Sequence, residues 1–257
     1  YDVCNLGSIN VGHYVTAGHP ERSASHPERS EGSPVPSLDW DAFRRDIQLT
    51  THFLDNIIDV NKYPLAEIDS LSKRIRRIGL GVMGFADALV RLGIAYDTPE
   101  GVEFGRKVMK FLDDESKVES ERLAQERGPF SEWARSIWGP EETASKDADG
   151  KRVRPMKMLR NCNVTTVAPT GTISIIAGCS GGIEPMFSLA FLRQVMKDTK
   201  GRPTILREVN HVFDEVARER GFYSDALIDD ISQKGTLQHR DEVPEDVKRD
   251  FVTAHDI

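Results

Sequence analysis

The chain has 257 residues, with 39% hydrophobic and 29% charged side chains, a balance that supports a buried core and excludes an intrinsically disordered chain. Its formal net charge of −7 excludes a broad grip on nucleic acid, which needs clustered Lys and Arg, although a single loop can still hold a small phosphorylated ligand. No run approaches the roughly 20 apolar residues of a membrane helix, and three dispersed cysteines are too few for a disulfide scaffold or a zinc site.

In chain order, Val3 to Val15 reads as one strand and a turn. Thr16 to Ser37 follows, in which His19-Pro20-Glu21-Arg22-Ser23 returns as His26-Pro27-Glu28-Arg29-Ser30. Rich in Pro, Ser, Gly and charge and without an apolar period, residues 16–37 are predicted to be an inserted, solvated low-complexity loop rather than a metal site. From Leu38 the pattern turns helical: Asp39 can cap a segment in which Phe43, Ile47, Leu54, Ile57 and Ile58 recur at three- and four-residue spacing. Pro64 ends it. A second helical region is predicted over about Ile75 to Leu92, stopping at Gly93. A third has Phe104, Val108, Phe111, Leu112 and Val118 on one face and stops at Gly128-Pro129.

Gly139 to Pro155 is polar and reads as a surface loop, whereas β-branched Val164-Thr165-Thr166-Val167-Ala168 reads as a short buried strand. Residues 205–220 are predicted as an amphipathic helix with Leu206, Val209, Phe213, Val216 and Ala217 inward. Strands separated by long helices give a helix-rich α/β class.

The most informative chemistry follows the predicted strand, in Val167-Ala168-Pro169-Thr170-Gly171-Thr172-Ile173-Ser174. A strand leading through Pro169 and a Thr-Gly-Thr turn into a small-residue helix aims successive backbone N–H groups at the positive helix end, a ready anion site. Thr170, Thr172 and Ser174 add hydroxyls, and Gly171 lets the backbone approach a phosphate. A tight turn with capping hydroxyls would use the same residues. No Gly-Lys-Ser or Gly-Lys-Thr follows, so Walker-type nucleotide hydrolysis is not expected.

Gly79-Leu80-Gly81-Val82-Met83-Gly84 matches the G-x-G-x-x-G fingerprint of nicotinamide-dinucleotide binders. That fingerprint requires an apolar strand before it. Here basic Lys73-Arg74-Ile75-Arg76-Arg77-Ile78 precedes it, so close helix packing through small residues is the preferred reading, with a nicotinamide-dependent oxidoreductase as the rival.

Cys4 is either a small buried hydrophobe or a thiol acting as nucleophile or electron donor. Cys162 and Cys179 are read as packing.

Several ordered segments together resemble the large subunit of ribonucleotide reductases, most closely the cobalamin-dependent class. They are Cys4-Asn5-Leu6-Gly7-Ser8-Ile9-Asn10, Phe53 to Pro64, Arg77 to Asp87, the Thr170–Ser174 loop and Ala177 to Pro185. The resemblance covers nearly the whole chain except residues 16–37.

It implies that residues 1–257 are part of a ten-stranded α/β barrel domain, mainly its second half. It also implies thiyl-radical replacement of a ribonucleotide 2′-hydroxyl by hydrogen, which makes deoxyribonucleotides for DNA synthesis. Adenosylcobalamin would be the cofactor, with no metal held by this chain, and a cysteine pair would give up two electrons and close into a disulfide. Carried over by position, Cys4 matches the downstream member of that pair, and Thr170, Gly171, Thr172, Ile173 and Ser174 match the substrate-phosphate site.

The other expectations are a di- or triphosphate substrate, a thioredoxin-like or dithiol reductant, a cytoplasmic location and a homodimer. The chain begins at Tyr1 rather than Met and reads as a piece of a longer protein, because the radical cysteine would precede Tyr1 and the tail cysteines would follow Ile257. Such a piece is expected to be inactive alone. A non-catalytic scaffold that kept the fold is the remaining alternative.

Overall fold

The computed structural model describes residues 3–16, 36–143, 146–197, 201 and 203–257. In order these form β1 (Asn5–Asn10), β2 (Val15–Thr16), β3 (Ser37–Leu38), α1 (Trp40–Val60), α2 (Ala66–Ile75), β4 (Ile78–Met83), α3 (Phe85–Leu92) and α4 (Pro99–Arg127). They continue as α5 (Gly171–Ala177), β5 (Ala190–Lys197), β6 (Pro203–Val209), α6 (His211–Glu219), α7 (Asp225–Lys234) and α8 (Glu245–Asp250). The helix-rich α/β class holds. Strands pair as β1-β4, β2-β3 and β5-β6, so the ten-stranded barrel is not closed among the described residues. No described helix is long and apolar enough to cross a membrane.

The chain divides into two compact units, one of residues 1–9, 40–82 and 107–168, the other of residues 10–39, 83–106 and 169–257. In the first, α1 turns Phe43, Ile47, Leu54 and Ile58 inward as its spacing predicts, with Val108, Leu112 and Leu123 of α4 also buried. Phe43 stacks on Phe111 at 5.9 Å. Val118, expected inward, is 49% exposed. At that level Ser116, Glu119 and Ser120 are buried instead, and Ser120 meets a polar network through Asn161.

That network centres on Asp55, which is fully buried. It accepts hydrogen bonds from Arg76 Nε at 2.8 Å and Asn161 Nδ2 at 2.8 Å. Arg76 also grips both oxygens of Asp59, at 2.7 and 2.8 Å. Asn161 Nδ2 donates further to the Arg76 carbonyl, and its Oδ1 accepts from Ser120 Oγ. Burial acts to lower the Arg76 pKa, but its hydrogen bonds to Asp59 and Asp55 outweigh that and hold the guanidinium above its ordinary value. The same hydrogen bond from Arg76 holds the Asp59 carboxyl below the usual aspartate range.

Three expectations are corrected here. Of the helix predicted over about Ile75–Leu92, the second half is helical as α3 and stops at Gly93 as expected, but Ile78–Met83 is a fully buried strand between α2 and α3. Arg76, in the left-handed region at φ 50°, ends α2, and its side chain belongs to the buried network, so the basic lead-in does not place the following residues at the surface. The segment after Asn161 is only partly the strand expected. Leu80 N–H donates to Val164 O at 2.8 Å and Thr166 N–H to Leu80 O at 3.0 Å, a parallel bridge at Thr165, yet Val167 is 55% exposed. Finally, residues 205–209 are strand rather than helix, paired antiparallel with β5. The helix starts only where the Asn210 side chain accepts the Phe213 N–H and caps α6.

In the second unit α6, α7 and α8 bury Val212, Phe213, Leu227, Ile228, Ile231, Val247 and Phe251 in one apolar cluster. β2 and β3 pair antiparallel, Val15 with Leu38 and Thr16 with Ser37, at the two ends of the duplicated insert. The insert's interior, 17–35, lies outside the described residues.

Candidate functional site

The candidate anion site is the start of α5. Thr170 caps this helix in the left-handed region at φ 55°, a conformation that costs a β-branched residue roughly 1–2 kcal/mol. The sequence reading gave Gly171 the role of letting the backbone approach a phosphate; the left-handed residue is its neighbour Thr170. Gly182 N–H donates to Thr170 Oγ1 at 2.7 Å and helps hold it there.

Within α5 the Ser174 N–H is the first to reach back, donating to Thr170 O at 2.9 Å. The amides of Gly171, Thr172 and Ile173 precede it, where a helix offers no internal acceptor. There is no acidic side chain in the first turn, and a Cβ built on Gly171 meets nothing within 4 Å. Gly171 is therefore unobstructed on its side-chain side at a positive helix end. Of the five predicted residues, Gly171, Thr172 and Ile173 are exposed, whereas Thr170 and Ser174 are buried. Ser174 thus packs inward, and Ile173 offers its amide only.

The turn behind the loop is built on glycine. A Cβ on Gly181 would come within 2.9 Å of the Pro169 carbonyl oxygen, so only glycine permits this approach without a shift. Cys179 N–H donates to Ser174 O at 3.0 Å and Gly84 N–H to Ser180 O at 2.8 Å. Burial, with the Asp87 carboxylate adding to it, pushes the Cys179 thiol up to about 11. It stays a protonated thiol at neutral pH, as expected of a packing residue.

The sequence reading missed Asp87. This acid is 2% exposed, on α3 among buried Phe85, Ala86, Ala88 and Leu89. It accepts the Ser180 N–H at 2.6 Å and the Asn210 Nδ2 at 3.1 Å. A lone carboxylate in the apolar first turns of α3 was the available signal, since such a group stays buried only when its oxygens are satisfied.

Cys4 lies in the first unit and the Thr170–Ser174 loop in the second. Cys4 is half-buried just before β1, and a Cβ on Gly79 would approach its Sγ to 3.0 Å. Gly79 therefore leaves room for the sulfur, and also for Leu6 and Thr166, both of which a Cβ would meet at under 3.0 Å. At Gly81 a Cβ would meet Thr166 O at 2.6 Å, and at Gly84 it would collide with Asn10 Oδ1. The close packing expected of these glycines is real, but it is made by a strand and a turn rather than a helix. The chain's own atoms fill the places a pyrophosphate would need, which removes the nicotinamide reading.

No disulfide joins Cys4, Cys162 and Cys179 to one another, and Cys162 packs against Phe130, Trp138 and Leu159. Among the described residues no group of three or more His, Cys, Asp or Glu is placed to hold a metal ion.

The family model described as ribonucleotide reductase, barrel domain, matches residues 1–257. A vitamin B12-dependent ribonucleoside-diphosphate reductase of Thermoplasma acidophilum is 43% identical over 257 residues, covering 100% of this chain and 29% of the relative. One from Mycobacterium tuberculosis is 40% identical over 258 residues, covering 100% of this chain and 32% of the relative. The chain thus spans about a third of the length of these relatives. Among solved structures, the Actinobacillus ureae class Id ribonucleotide reductase alpha subunit shares the fold with a TM-score of 0.61 at 20% identity, over 85% of this chain and 37% of that one.

Proposed function

The chain belongs to the ribonucleotide reductase barrel-domain family, and from that premise we propose that it serves, within the complete protein, to reduce ribonucleotides to 2′-deoxyribonucleotides. In this reading both compact units are parts of one barrel domain. The observation that carries it is the start of α5, where exposed Gly171, Thr172 and Ile173 carry amides without a helical acceptor beside a left-handed Thr170. These amides would hold the substrate's phosphates, with the Thr172 hydroxyl beside them.

Cys4 would be one of two thiols that together give up two electrons and two protons as they close into a disulfide. The ribose 2′-oxygen leaves as water, and C2′ takes hydrogen in its place. A thioredoxin-like protein or small dithiol then restores both thiols by exchange. The substrate is a nucleoside diphosphate if it follows the names of the similar proteins. We place the protein in the cytoplasm, where thiols stay reduced, and propose a homodimer.

Those names also bring adenosylcobalamin as the cofactor of the complete protein, to supply the radical chemistry. The cavity of about 370 Å³ bordered by Asp97, Lys248, Arg249 and Asp256 is too small and too charged to seat a corrin ring. No step in this chain is therefore routed through the cofactor.

The test is deoxynucleotide formation by the complete protein. Product is expected with adenosylcobalamin and none without it; product independent of cobalamin would refute the cofactor, and none under either condition the activity.

The loop itself is tested by Gly171→Val. The new side chain enters open space, so folding should survive while the isopropyl group screens the first-turn amides. Nucleoside diphosphate affinity, read by calorimetric titration, is expected to fall by about 1–3 kcal/mol, or roughly 5- to 150-fold. Unchanged affinity would remove the phosphate site from α5.

A further inference from the structure

We propose that Asp87, with Asn210, is a positioning residue for the phosphate loop, which it never touches directly; the proposal rests on the α5 reading above. Asp87 Oδ2 accepts the Ser180 N–H at 2.6 Å, while the Gly84 N–H holds the Ser180 carbonyl at 2.8 Å. Ser180 is thus gripped on both sides by the segment that starts α3.

The next two residues face the loop. Gly181 lies so close to Pro169 that a Cβ would meet the Pro169 oxygen at 2.9 Å, and Gly182 donates to Thr170 Oγ1 at 2.7 Å. Thr170, at φ 55°, is the residue from which the exposed amides of α5 take their direction. One continuous path therefore runs from Asp87 through Ser180 and Gly182 to Thr170.

Asn210 completes the grip on the carboxylate. Its Nδ2 donates to Asp87 Oδ1 at 3.1 Å, and its own Oδ1 accepts the Phe213 N–H at 3.0 Å. Because that oxygen is committed to capping α6, the amide cannot turn over to suit a changed partner. Asp87 is thus required as an acceptor on two sides, toward Ser180 and toward Asn210. A carboxylate meets both demands. A carboxamide meets only one.

The experiment is done on the complete protein, with a nucleoside diphosphate and the matching unphosphorylated nucleoside as probes. Asp87→Asn sets one amide nitrogen against a fixed donor, either Asn210 Nδ2 or the Ser180 N–H. Diphosphate affinity is expected to fall about tenfold, the scale of one buried hydrogen bond, with nucleoside affinity unchanged. Adding Asn210→Asp swaps donor and acceptor: the carboxamide then donates to a carboxylate that can still cap α6. The double variant should recover most of the diphosphate affinity.

A general packing role would weaken both probes together and give no recovery on swapping; either result, or no loss at all, overturns the proposal. If Asp87→Asn does not fold, Asn210→Ser keeps a capping oxygen while removing the donor to Asp87, and should show a smaller loss confined to the diphosphate. Equal loss of both probes, or none, in that variant is equally fatal. Gly171→Val separates the two readings: if it leaves diphosphate affinity intact, the α5 site itself fails, whereas a loss there with none at Asp87 fails only the positioning role.

Discussion

Replacing Arg76 by alanine is expected to destabilise the first unit by about 3–5 kcal/mol, the scale of stranding one partner of a buried ion pair. Asp55 is fully buried and Arg76 is 4% exposed, so water cannot replace the lost guanidinium. Arg160 Nε at 3.5 Å and Arg127 at 3.7 Å from Asp55 Oδ2 are too distant to take over its short bonds. The loss reaches beyond the pair, because Asn161 donates both to Asp55 and to the Arg76 carbonyl. Asn161 thereby anchors the segment whose carbonyls at Asn163 and Val164 accept from Ile78 and Leu80 of β4.

Urea unfolding of the complete protein, followed by circular dichroism, reads the effect. A loss below about 1 kcal/mol would mean that the network is not a stabilising centre. Combining Asp55→Leu with Arg76→Met should cost less than Arg76→Ala alone, since the fully buried carboxylate is removed together with its nearest charged partner.

Cys4→Ser in the complete protein is expected to reduce steady-state turnover with a dithiol reductant to background. Serine is nearly isosteric and should fit the half-buried place beside Gly79, so the fold is retained. Its oxygen cannot close a disulfide or be regenerated by thiol exchange. The measurement is product per protein molecule over many turnovers, with a dithiol and with a thioredoxin-like protein as reductants. Undiminished turnover with both would take Cys4 out of the redox role. Cys179→Ser is the control: its thiol, pushed up to about 11 by burial and Asp87, is poorly suited to exchange and is read here as packing.

The two long helices were legible in the residues because their determinants are local. Phe43, Ile47, Leu54 and Ile58 fall on one face of any helix, and all four are buried. The turn into α5 was legible for a similar reason, since Pro169, Gly171 and the hydroxyl residues fit few backbone paths. Within it, however, Thr170 rather than Gly171 adopts the left-handed conformation. A bond from Gly182, twelve residues away, helps hold threonine where glycine would be the cheaper choice.

Strand β4 was not legible. Its basic lead-in and spaced glycines suit a helix surface, and only the tertiary structure buries Arg76 against two aspartates and fills the glycine gaps with Leu6, Thr166 and Cys4. Strand β6 was hidden in the same way, because a few apolar residues running into an amphipathic helix carry no period of their own.

Local sequence determined the two long helices and the turn that opens α5, because periodicity and turn chemistry act between neighbours in the chain. Tertiary structure alone decided the partners of Asp55 and Asp87. A buried carboxylate must find donors wherever the fold brings them, and for Asp87 the Asn210 donor lies 123 residues away.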